Sequence, residues 1–139
     1  MPRILRDHEI STFNKSYVSI GVVDSPDPNA GAASHVYEIA VTDRTPEESV
    51  RDAEEGMTTA VLRTVLKFQH GPVTEAGLNG ITDQALLAIV LDRWRAFQKS
   101  KWSNRETALS ITHLETALMW QHKRTLDRER RGVEGTNAE

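Results

Sequence analysis

Four side chains carry the chemistry open to this sequence: Phe68, Asn79, Arg124 and Arg128. Phe68 and Asn79 lie in the stretch KFQHGPVTEAGLNG, residues 67–80. An aromatic ring can stack on a base. A side-chain amide can bond a ribose or a base edge. Arg124 and Arg128 are four residues apart, which puts them on one face of a helix. Guanidinium forks grip phosphates bidentately. Together the four can hold a small nucleotide. Each also has a plainer structural reading: Phe68 in a core, Asn79 in a turn, and the arginines paired with Asp127, Glu129 or Glu134. On residue types and spacing alone the plainer reading leads. Arg93, Arg95 and Arg105 are weaker ligand candidates.

Enzyme signatures are sparse. The five histidines show no metal-ligand spacing, and His113 and His122 lie on opposite sides of any straight helix. The chain has no Cys, which removes disulfides and thiolate chemistry. There is no nucleophile elbow, phosphate-binding loop or dinucleotide fingerprint. No catalytic residue, metal or cofactor is expected.

These side chains need elements to position them. Ser16–Val23 and His35–Thr42 alternate as strands, with Tyr37, Ile39 and Val41 expected to face the core. Residues 1–15 read as irregular and frayed. Asp24–Ser34 is a loop by composition. Thr45-Pro46-Glu47-Glu48 is a helix-start signal that opens a polar insertion near 45–57. Thr58–Gln69 reads as a strand. His70-Gly71-Pro72 is a turn signal, and Val73–Leu78 is expected to pair back as a hairpin. Thr82 begins a helix reaching about Lys101, with an apolar stripe of Leu86, Ile89, Val90, Trp94 and Phe97, and with Leu87 and Leu91 beside it in a wide buried face. Ser103-Asn104-Arg105-Glu106 is a capping box for a second helix. That helix runs to Arg131 before Gly132 stops it, with a seam of Ile111, Leu114, Leu118 and Thr125. In an antiparallel hairpin the end of the second helix returns beside the start of the first. That brings Arg124 and Arg128 back toward residues 68–80.

The expected fold class is α+β: a small N-terminal antiparallel β-sheet packed with a C-terminal antiparallel two-helix hairpin. The chain of 139 residues reads as a single domain. Its sections are 16–80, mainly β, the hairpin at 82–131, and a tail at 132–139. The hydrophobic fraction is 38% and aromatics are 6%, so the core is thin or shared between subunits. Charge is uneven. Residues 1–92 hold 7 Lys/Arg against 14 Asp/Glu, whereas residues 93–131 hold 10 against 4. A basic helical segment therefore follows an acidic half, and basic helices attract phosphates. No run of apolar residues is long enough for a membrane span, and the N-terminus lacks a signal-peptide pattern.

Two stretches are similar to a known family. FQHGPVTEAGLNGITDQALLAIVLDRWRAFQ, residues 68–98, and ETALMWQHKRTLDRERRGVEGT, residues 115–136, resemble the type 1 phage Thoeris anti-defence proteins. Their helical hairpin is shared with the type 2 phage anti-CBASS proteins. The resemblance implies a viral, non-enzymatic sponge acting in the host bacterial cytoplasm. It implies sequestration, without cleavage, of signals made by Thoeris TIR proteins, chiefly glycocyclic ADP-ribose. For some members it extends to CBASS cyclic trinucleotides. It implies a homodimer assembling to a homohexamer with sites between subunits, and no duplex nucleic acid or membrane partner. Carried over by position, Phe68 and Asn79 match the family's ligand-contacting aromatic and amide, and Arg124 and Arg128 are expected to contact phosphate. The competing reading is a phage structural or regulatory protein that uses the hairpin for oligomerisation or nucleic-acid contact.

Overall fold

β-branched and aromatic residues at alternate positions build the sheet. The structure is a computed structural model and describes residues 3–9, 17–42, 51, 54–56 and 60–136. Its four strands are β1 (Arg3–Leu5), β2 (Val18–Val22), β3 (Val36–Thr42) and β4 (Ala60–Lys67). They pair antiparallel in the order β1-β2-β3-β4. Residues 3–5 are thus a strand, not frayed chain. Arg3 to Leu5 pair with Val22 to Ile20, and this ladder satisfies backbone groups that the short RIL segment gave no periodicity to predict.

The register places Val18, Ile20 and Val22 opposite Val41, Ile39 and Tyr37. Those in turn oppose Leu62, Thr64 and Leu66. Opposed residues share a face, so the larger apolar set lies together, as the alternation requires. Val22, 3% exposed, is the buried centre of that face. The loop between β2 and β3 contains a single 3-10 turn, Pro28–Ala30, capped by the Asp27 carboxylate. The helix-start signal at 45–48 lies outside the described residues.

The chain divides into two compact units, Met1–His70 and Gly71–Glu139. Among the described residues of the second unit are three helices: α1 (Val73–Ala76), α2 (Asp83–Gln98) and α3 (Arg105–Arg130). The α1 turn corrects the expected strand at Val73–Leu78. Pro72 is extended at the cap, and its carbonyl accepts from the N–H groups of Glu75 and Ala76. Glu and Ala favour helix over strand. The Thr74 N–H and hydroxyl both go to the Gly135 carbonyl, so neither is left for a hairpin partner. Gly71 precedes the turn at φ +81°, where a Cβ would lie 3.2 Å from that of Ala76.

Thr82 caps α2 through a bond from the Ala85 N–H, as its sequence position suggests. At α3 the cap is Asn104, whose side chain accepts from Thr107, rather than Ser103. Asn104 is further fixed by Gln98, which bonds both its N–H and its carbonyl. Ile111, Leu114, Leu118 and Thr125 are half-buried along the seam of α3. On α2 the buried residue is Leu91, with Leu87 and Trp94 half-buried beside it. Ile89 and Phe97, expected in the stripe, are 58% and 47% exposed. The covered face centres on Leu91 and keeps Leu86 and Trp94 of the stripe, and its Ile89 and Phe97 side turns outward. Among the described residues no helix is long and apolar enough to cross a membrane.

Candidate functional site

The second unit concentrates cations at one place. α3 outruns α2 by ten residues, 26 against 16, or about 15 Å at 1.5 Å per residue. On that overrun, Trp120, Lys123, Arg124, Asp127, Arg128 and Arg131 line an open hollow of about 450 Å³. Their spacings of three and four put them on one helix face. Four cations against one carboxylate make the hollow strongly positive. It suits an anion such as a phosphate or pyrophosphate, with the exposed Trp120 ring as a platform.

The two arginines differ in what they already do. Arg128 is only 11% exposed at its side chain. Its Nε donates to Glu134 at 3.0 Å, and its NH2 group donates to the carbonyls of Val133 and Thr136 at 2.9 Å each. This realises the expected pairing with Glu134 and folds the tail back under the helix. Gly132 at φ +71° makes that reversal possible. The tail then meets α1 through Gly135 and Thr74. The end of α3 is thereby tied to the segment that precedes Asn79. Asn79 itself is exposed in the turn between α1 and α2.

Arg124, by contrast, has no hydrogen-bond or ion-pair partner among the described residues. Neighbouring Asp127 is engaged by Lys123 at 2.7 Å and Arg130 at 3.6 Å. The Lys123 hydrogen bond holds the Asp127 carboxyl below its usual range, against a desolvation effect in the other direction. The one acid of the hollow therefore stays ionised and committed to lysine. Trp120, Lys123 and Arg131 were not singled out from the sequence. Their signal was the run of spacings from 120 to 131, masked by the acids interleaved on neighbouring faces.

Phe68 lies in the first unit. It is half-buried, with its ring edge-on to Tyr37 at 5.5 Å and its N–H donating to the His35 carbonyl. This is a core position with an aromatic partner. Beside it His35, 6% exposed, stacks on His70 with ring centroids 4.1 Å apart. His70 bonds Asp27 at 2.8 Å. The Asp24 carboxylate accepts from the Val36 and His35 N–H groups. The Val36 bond leads in holding it below the usual carboxylate range, burial opposes, and the His35 bond adds to the lowering. A depressed carboxyl stabilises the fold above its unfolded value and loses that contribution as pH falls through its folded value. The sheet is therefore expected to lose stability below about pH 4. Circular dichroism should show a flatter acid profile for Asp24→Asn, which starts from lower stability at neutral pH.

Arg95 is paired to Glu115 across the two helices at 3.5 Å. Arg93 and Arg105 are exposed. The structure thus groups Arg124 and Arg128 in one hollow and leaves Arg93, Arg95 and Arg105 apart from it.

Residues 63–126 match the family model described as Acb2/Tad1, hairpin domain. Over 72 residues the chain is 54% identical to a protein of Bacillus phage SBSphiJ7 named Thoeris anti-defense 1. The match covers 52% of this chain and 51% of that protein, so the chain spans about half the length of the curated relative it matches. The matched family span contains Phe68, Asn79 and Arg124, and ends two residues before Arg128. On these matches the chain is Tad1-like, the resemblance being carried by residues 63–126.

Proposed function

We propose that this protein is a Thoeris anti-defence sponge that binds and sequesters glycocyclic ADP-ribose, without cleaving it, in the infected bacterial cell. The observation that carries the reading is Arg124: a cation with no partner among the described residues, in a basic hollow, inside the span that matches the Acb2/Tad1 hairpin. Among the cations that line the hollow Arg124 is free to pair with an anion, and a dianionic pyrophosphate is a fitting occupant. Phe68 supplies an aromatic face for adenine, Asn79 a donor and acceptor for ribose or base edge, and Arg128 a second cation. Sequestration asks only for complementarity and burial, so no general base, nucleophile or metal is required. Cyclic trinucleotides made by CBASS cyclases are a second ligand class, with Arg93, Arg95 and Arg105 the residues available for it. The working form is a homodimer assembling to a homohexamer, which gives the exposed Trp102 and Met119 side chains cover.

The test is a calorimetric panel of glycocyclic ADP-ribose, linear ADP-ribose, a cyclic trinucleotide and a DNA duplex. The expected result is tight binding of the first and little of the linear form. Binding of the duplex alone, with a steep salt dependence, would instead make this a nucleic-acid protein. Phe68→Leu keeps an apolar side chain but removes the ring face. It is expected to weaken binding of the ADP-ribose isomer about tenfold, with stability falling by about 1 kcal/mol as the edge contact to Tyr37 goes. Asn79→Ala should weaken it by a similar factor at little cost in stability. Unchanged affinity in both would mean that the base and ribose are held elsewhere.

A further inference from the structure

α1 and the turn that follows it gain little from burial. α1 has four residues, and a lone helical turn costs more to order than its own hydrogen bonds return. It buries no residue, and its cap has no side-chain hydrogen bond. Val73 to Gly80 are all exposed, Asn79 among them. Packing therefore does not set where the Asn79 side chain sits. Thr74 connects the turn to a distant part of the chain. Its hydroxyl donates to the Gly135 carbonyl at 2.6 Å, and its N–H donates to the same oxygen at 3.3 Å.

The tail that receives Thr74 is itself fixed. The Thr136 N–H and hydroxyl donate to the Val133 carbonyl at 3.1 and 2.6 Å, which closes residues 133–136 into a tight turn. Arg128 donates to the Val133 and Thr136 carbonyls, and the Val133 N–H returns to the Arg128 carbonyl at 3.0 Å. Glu134 pairs with the same guanidinium. Gly135 thus lies between two residues bonded to Arg128, and its carbonyl accepts from Thr74. Arg128 also lines the basic hollow. A run of bonds leads from the rim of the hollow, through the GVEGT ending, to the turn that carries Asn79.

We infer that Thr74 is a positioning residue for nucleotide capture: through Gly135 it anchors the Asn79 turn to the tail and fixes where the Asn79 amide is presented. The inference rests on the sponge reading, in which Asn79 bonds the ribose or base edge. An exposed turn that wanders must be ordered when the ligand arrives, and that ordering is subtracted from the affinity. An anchored turn has met the cost during folding. Thr74 acts through its hydroxyl, which valine, of nearly the same shape, lacks. Serine keeps it. The tail thereby contributes to binding at a distance, through one threonine and without a ligand contact of its own at Gly135.

The test is a calorimetric double-substitution cycle with glycocyclic ADP-ribose. Thr74→Val is expected to weaken binding about fivefold, less than Asn79→Ala does, because a residue acting through Asn79 cannot cost more than Asn79 itself. Thr74→Ser is expected to bind within about twofold of wild type. Adding Thr74→Val to Asn79→Ala should cost nothing further, whereas adding it to Arg124→Lys should cost the same factor as in wild type. Losses that multiply in both pairs would make Thr74 a general support of the fold and overturn the positioning role. So would a Thr74→Val protein that binds as wild type does. NMR relaxation on the free protein reads the anchor without ligand. In Thr74→Val the amide order parameters of Ala76, Gly77 and Asn79 are expected to fall from about 0.85 to below about 0.6, and unchanged values would overturn the anchor. A wild type that binds no glycocyclic ADP-ribose would overturn the sponge reading and the positioning role with it, and the relaxation result would still decide the anchor.

Discussion

Arg124→Glu is expected to abolish measurable binding of glycocyclic ADP-ribose, a loss of about 100-fold or more, while leaving the fold intact. A charge-assisted hydrogen bond to a phosphate contributes about 1.5–3 kcal/mol, and each 1.4 kcal/mol is about tenfold in affinity. Reversing the charge also puts a carboxylate in the hollow that Lys123, Arg128 and Arg131 line, where it would repel the ligand's phosphates. Arg124→Lys keeps the charge but loses the fork, and should cost about tenfold. Since Arg124 has no partner among the described residues, stability should move by no more than about 0.5 kcal/mol. Calorimetry with thermal unfolding separates the two quantities. Affinity unchanged in Arg124→Glu would remove the hollow from the site.

Arg128→Ala is expected to destabilise the helical unit by about 2–3 kcal/mol. The side chain is nearly covered and satisfies Glu134 and two tail carbonyls at once. Without it the tail no longer folds back, and the bond between Gly135 and Thr74 loses its support. Chemical denaturation gives the magnitude. Hydrogen exchange should show early loss of protection at Val133 and Thr136, whose N–H groups donate to Arg128 and Val133 carbonyls. Glu134→Gln keeps the cation but removes the charged partner, and should cost under half as much. A loss below about 0.5 kcal/mol for Arg128→Ala would mean that the tail is held by other contacts.

Together these two substitutions separate a cation proposed to hold the ligand from one held for the fold. The sequence could not make that distinction. Arg124 and Arg128 have the same type and lie one turn apart, and both have acids within reach. What divides them is the tail. Gly132 reverses the chain and carries Glu134 under Arg128 but not Arg124. That outcome depends on one backbone angle and on Thr74, more than fifty residues away.

Elsewhere, what was legible followed local periodicity and caps. Alternation in residues 35–42 placed β3, Thr82 placed the start of α2, and Gly132 placed the end of α3. The failures were positions where partners decided the structure. Val73–Ala76 has strand-forming residues at its front, but Pro72 and the pull of Gly135 on Thr74 make it a helical turn. Asn104 outcompetes Ser103 as a cap because Gln98 clamps its backbone. The stripe through Ile89 and Phe97 was a fair reading of spacing, but packing chose the lane through Leu91. Arg3–Leu5 is too short to show a period, and it is a strand because β2 offers it a ladder.

The central claim is capture without cleavage, and one measurement addresses it directly. The protein is saturated with glycocyclic ADP-ribose, freed of unbound ligand, then denatured, and the released nucleotide is identified by mass spectrometry. The account predicts stoichiometric recovery of the intact cyclic molecule. Recovery of a linear or hydrolysed product would make this an enzyme acting on the signal, and an empty protein after saturation would contradict the sponge reading altogether.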